Sequence, residues 1–91
     1  MYTYKVVYQL RMGAIFVEVL DFPEVTAFGP NLEVARAGIL GALRYNAERR
    51  LRRGESLPPA QPGRTAPDAY IVETVTVIPY GDNRAEVQLS R

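Results

Sequence analysis

The sequence predicts an α+β fold of order β-β-β-α-β-β, a mainly antiparallel sheet with one long helix packed on one face. Three observations predict it. Sheet formers (Val, Tyr, Ile, Phe, Thr) crowd both ends of the 91-residue chain, and Ala, Leu and Arg crowd its middle. The stretch from Leu20 to Gly54 carries a turn, a helix start, a periodic apolar face and a terminal glycine, in that order. The links between the first strands are short enough to force antiparallel hairpins. A chain of this length makes one domain, residues 1–91, with a thin core.

Tyr2 to Leu10 alternates: Tyr2, Tyr4, Val6, Tyr8 and Leu10 on one face, Thr3, Lys5, Val7 and Gln9 on the other. That is the period of a half-buried strand. Arg11-Met12-Gly13 is a tight connection, and Ala14 to Leu20 is the second strand. Asp21-Phe22-Pro23-Glu24 breaks the ladder, because Pro23 has no N–H to donate and biases Phe22 towards an extended backbone. Val25 to Phe28 is a short third strand beside the second.

Gly29-Pro30-Asn31 leads into the helix, with Asn31 as N-cap and Glu33 at the positive end of the dipole. Leu32, Ala35, Ile39, Ala42, Leu43, Ala47 and Leu51 follow in steps of three and four, one helical face. Gly54 is the expected residue just past the helix end. Residues 55–68 hold Pro58, Pro59, Pro62, Gly63 and Pro67 and read as a long extended loop inside the domain. Ala69 to Ile78 is a strand apolar on both faces, which suggests cover on both sides. Pro79 to Asn83 is a turn, and Arg84 to Ser90 is an edge strand paired back on its predecessor. With one helix, the sheet's second face stays open. Tyrosines, Val7, Val75 and Val77 on it would form an apolar patch, so a homo-oligomer, a dimer or higher, is expected.

The chain has no Cys and no His. Disulfides, thiolate nucleophiles and Cys-ligated metals are excluded, and the commonest general base is missing. Glu18, Asp21, Glu24, Asp68 and Glu73 are the conceivable carboxylate set, yet no spacing makes them converge. No enzymatic activity, cofactor or metal is therefore expected. The net charge of +1 gives no whole-chain case for nucleic acid or membrane. Arg44, Arg49, Arg50, Arg52 and Arg53 do crowd the helix end. Guanidinium forks there could contact phosphates, but the favoured reading is a solvated helix end that suits the dipole, with part of the charge paired to Glu48, four residues from both Arg44 and Arg52. No basic leader precedes an apolar run and no run reaches membrane-span length, so a cytoplasmic protein is expected.

Several segments in order resemble the HicB-like antitoxin family: the opening Y-K-V-V-Y (Tyr4 to Tyr8), D-F-P (Asp21 to Pro23) where the family has a P-D-L-P-G type turn, and V-T-A-F-G (Val25 to Gly29). N-L-E-V-A (Asn31 to Ala35) is like the family's helix start, and G-E-S-L-P (Gly54 to Pro58) is like its G-x-x-x-P after the helix. Glu24 stands where the family's turn has Gly, and the helix end is unusually Arg-rich. The resemblance implies a partial ribonuclease-H-like fold, with strands 3-2-1, a fourth beside the first, and one packed helix. It implies no catalysis. It implies an antitoxin that binds a small HicA-type mRNA interferase and occludes its active site. Many members also bind their own promoter. Here the C-terminal third reads as strands, so DNA binding is not carried over. The expected contact residues are Asp21, Phe22, Pro23, Glu24, Arg49, Arg52 and Arg53. The alternative is a stand-alone homo-oligomeric scaffold or small-ligand-binding relative without a toxin.

Overall fold

The computed structural model describes residues 1–61 and 63–90. Pro62, one of the prolines of the expected loop, lies outside the described residues. Five strands and one helix follow the expected order: β1 (Tyr2–Arg11), β2 (Ala14–Val19), β3 (Phe22–Gly29), α1 (Leu32–Arg52), β4 (Ile71–Pro79) and β5 (Ala85–Leu89). They form one antiparallel sheet of order β3-β2-β1-β4-β5.

The β1–β2 turn is Met12-Gly13, with φ of 52° and 81°. Both angles are left-handed, the signature of the two-residue turn whose twist matches the flanking strands. Leu20 and Asp21 make the second turn, so β3 starts three residues earlier than the proline suggested. Its register shifts beside Glu18 and Val19. Thr26 faces Glu18 and Phe22 faces Val19, so Pro23, Glu24 and Val25 have no partner on β2. This bulge lets Phe22 and Val25 both enter the core, where each is fully buried. Pro23 is tolerated because β3 is an edge strand.

Asn31 caps α1 through its side-chain oxygen, which accepts the Val34 N–H at 2.9 Å. At the far end the Glu55 N–H reaches Arg50 O and the Gly54 N–H reaches Leu51 O, with Gly54 at φ 72°. That bond pair is the Schellman ending, which glycine permits. Ala35, Ile39, Leu43 and Ala47 are the buried positions, a four-residue ridge laid on the sheet. Glu48 ties the helix to β5 by accepting the Ala85 N–H at 2.9 Å. That bond holds its carboxyl below the usual range.

Tyr4, Tyr8, Val75 and Val77 lie under the helix and are fully buried. This corrects the expectation of an apolar patch built from them. Only Val7 belongs to the reverse face, and it too is buried. The Pro-rich segment explains this. α1 follows β3 and runs back along it, bringing Arg50 to Glu24. The next strand, β4, begins beside Tyr8 at the opposite end of the sheet. The chain must therefore travel back the length of the sheet. It inserts Leu57 into the core, accepts the Tyr4 hydroxyl at Pro58 O (2.7 Å), then crosses to the reverse face. There Arg64 O accepts from Lys5 Nζ at 2.8 Å, and the chain rejoins the sheet where the Tyr70 N–H reaches Tyr8 O at 2.8 Å, next to the start of β4. Those anchors stand on either side of Val7. β4 is buried at Val75 and Val77 on its helix side, while Val72 is exposed on the other, so cover is one-sided for most of the strand.

Burial raises the Tyr4 and Tyr8 phenols above their ordinary range, and the bond from Tyr8 to Glu73 adds to it. Below that range both folded and unfolded chains hold these protons, and the contribution to stability is constant. As pH rises through it, the unfolded chain ionises first, so stability falls. In a spectrophotometric alkaline titration, two of the six tyrosines should ionise only as the protein unfolds.

Candidate partner surface

The structure separates the seven expected contact residues into two groups. Asp21 and Phe22 serve the fold. The Asp21 side chain is only 7% exposed. One oxygen accepts the Gln61 N–H at 2.7 Å. The other, Oδ1, is ion-paired with Arg64 Nη1 at 3.3 Å without a hydrogen bond, and the same nitrogen donates to Leu20 O at 3.0 Å. Asp21 thus pins the returning loop to the β2–β3 turn. In an Asp21→Ala variant, trypsin should cut after Arg64 markedly faster than in the wild type. Equal rates would show that the clip does not hold the loop.

Phe22 stands edge-on to Tyr4, centroids 6.0 Å apart, beneath the Arg50 guanidinium at 4.9 Å. Pro23, Glu24, Arg49, Arg52 and Arg53 are exposed. Glu24 pairs with Arg50 at 3.0 Å, so the bulge is locked against the helix end. Turn and helix end therefore adjoin, a contact that no local pattern in the chain signals.

The conceivable carboxylate set is dispersed. Glu73 lies on the helix side of β4, where it accepts from the Tyr8 hydroxyl at 2.6 Å and from Arg36 Nε at 3.0 and 3.1 Å, with Arg36 Nη2 closing the ion pair. Asp21 and Glu24 have the separate partners just described. Among the described residues no group of three or more His, Cys, Asp or Glu is placed to hold a metal ion. No helix among them is long and apolar enough to cross a membrane.

The second face of the sheet, expected to be open, carries Phe16 and Phe28 at the β2–β3 edge, two residues not among those expected there. Phe28 is 60% exposed and packs on Phe16, centroids 5.0 Å apart. The Arg11 guanidinium covers Phe16 at 4.1 Å. The returning loop is anchored over β1, and Phe16 and Phe28 stand on the two strands beyond it. Their pairing, Phe16 opposite Phe28, requires the β2–β3 register, which follows from the bulge. The outer side of β3 has no neighbouring strand. Pro23 and the bulge protect its first half from pairing, and Thr26 to Gly29 form its open half. Aromatic side chains beside unpaired backbone are what an added strand uses: main-chain bonds for affinity, side chains for choice of partner. Searches against protein-family models, curated proteins and solved structures find no match to this chain.

Proposed function

We propose that the protein is a non-catalytic binding module, a HicB-like antitoxin that covers the active site of a small HicA-type mRNA interferase. The observation that carries the reading is the exposed Phe28, packed on a half-buried Phe16 beside the open half of β3. An exposed aromatic ring beside an unpaired sheet edge suits a partner that adds a strand there. The strand order β3-β2-β1-β4-β5 with a single helix supports the family resemblance, since a partial ribonuclease-H-like fold places its strands 3-2-1 with the fourth beside the first. In this reading the toxin meets the β3 edge and the Pro23–Glu24 bulge, and inhibition is steric. Co-expression with the product of the adjacent gene is the test. A small basic toxin should co-purify and its growth arrest should be relieved. Phe28→Asp should abolish both effects while the isolated chain keeps its unfolding midpoint. Relief undiminished by Phe28→Asp, or an adjacent product that is harmless and does not bind, would sink the reading.

The same open edge also favours the second reading, a homo-oligomeric scaffold without a toxin. Sedimentation equilibrium tests what that reading requires, a dimer or higher held by this edge and dissociated by Phe28→Asp, and a bound toxin distinguishes the first reading from it.

A further inference from the structure

The outer face of the second half of α1 serves neither the core nor the β3 edge. Tyr45, Arg49 and Arg52 stand at positions i, i+4 and i+7, one face of a helix, and Arg53 follows at its end. Tyr45 is 61% exposed and the three arginines are exposed. The other arginines of this half are engaged: Arg44 with Glu48, Arg50 with Glu24 and the Phe22 ring. Among the described residues, the side chains of Arg49, Arg52 and Arg53 make no hydrogen bond or ion pair. Glu48 directs its carboxylate to the Ala85 N–H and Arg44, and Arg52 acts on it only through space. The acid beyond the cap is Glu55, exposed, against three uncommitted guanidiniums.

We infer that this stripe is a contact surface for single-stranded nucleic acid, with Tyr45 stacking a base and Arg49, Arg52 and Arg53 taking the phosphates that follow. Tyr45 to Arg52 spans about 10 Å along the helix axis, enough for a few nucleotides of extended strand. Guanidinium forks match phosphate oxygens better than point charges do, and this stripe contains no lysine. The chemistry favours nucleic acid over an acidic protein. A protein contact needs an apolar centre, whereas the turn preceding Tyr45 offers only Gly41 on this face. An exposed aromatic in line with cations is the element that single strands use. It favours a single strand over a duplex because paired bases are stacked on one another and closed to a tyrosine ring. The stripe is distinct from the Phe16–Phe28 pair that carries the antitoxin reading, although its helix end adjoins the Pro23–Glu24 bulge through Arg50.

The test titrates the full chain into a fluorescently labelled oligouridine strand, followed by anisotropy across a salt series. Binding should weaken with salt with a log–log slope of about −2, the value for three phosphates on a single strand. Each of Arg49→Gln, Arg52→Gln and Arg53→Gln should reduce that slope by about 0.7. Tyr45→Ala should weaken binding about ten-fold or more, while Tyr45→Phe, which keeps the ring, should not. Arg84→Gln, on the β4–β5 turn, serves as a neutral control. All are surface changes, and an unchanged circular dichroism spectrum shows that the variants remain folded. Absence of binding at low salt overturns the inference. So does an equal effect of Arg84→Gln, a duplex bound as tightly as the strand, or a polyglutamate peptide competing as well as the oligonucleotide; that last outcome would assign the stripe to an acidic protein.

Discussion

Replacing Phe22 with alanine is expected to remove about 3–5 kcal/mol of folding stability, the usual range for deleting a buried aromatic ring. The ring is fully buried, packs edge-on to Tyr4 and lies under Arg50. Its loss opens a cavity where the loop, the β3 bulge and the helix end meet. That loss is a large part of the roughly 5–14 kcal/mol expected for a domain of 91 residues. Urea unfolding measures it as a lower midpoint with an unchanged slope. Had Phe22 been a contact residue, as its place in an exposed-looking turn implied, the substitution would weaken binding and leave the midpoint alone.

Gly29→Ala is expected to cost about 2–3 kcal/mol, through crowding. A Cβ at Gly29 would stand 2.6 Å from the Ala35 backbone nitrogen and 3.1 Å from the Val34 carbonyl carbon. Neither atom can move without shifting the first turn of α1. The same change elsewhere in the chain provides the contrast. A Cβ at Gly41 meets nothing within 4 Å, so Gly41→Ala should stabilise the protein by up to about 1 kcal/mol, the difference in helix propensity. At Gly38 the Ala27 Cβ stands 3.3 Å away, and the propensity gain is opposed by contact. Thermal melts of the three variants should rank Gly41→Ala highest and Gly29→Ala lowest. A Gly29→Ala melt equal to the wild type would mean that helix and strand do not meet there.

Element order was legible because it rests on local chemistry. Alternation from Tyr2 to Leu10 and steps of three and four from Leu32 to Leu51 each describe one element without reference to another. Asn31 and Gly54 act within a turn of their own positions, so the helix ends were legible too. Pro23 misled because its missing N–H matters only where a neighbouring strand needs it, and β3 is an edge strand whose bulge leaves Pro23 unpaired.

The expected contact residues were divided by burial. Asp21 and Phe22 look like turn residues, but the first is a clip for Gln61 and Arg64 and the second is core. Their partners lie some forty residues away or across a bulge, beyond the reach of any local pattern.

Composition alone removed histidine and thiol chemistry, and periodicity alone set five strands, one helix and their sequence. Only the tertiary structure decided which face of the sheet the helix covers. Alternation separates an apolar face of β1 (Tyr4, Val6, Tyr8) from a mostly polar one (Thr3, Lys5, Gln9), but it does not say whether the helix or a partner covers the first. The choice follows from the geometry of α1 running back along β3, which also sends the Pro-rich segment across the reverse face and leaves Phe28 exposed beside an unpaired edge.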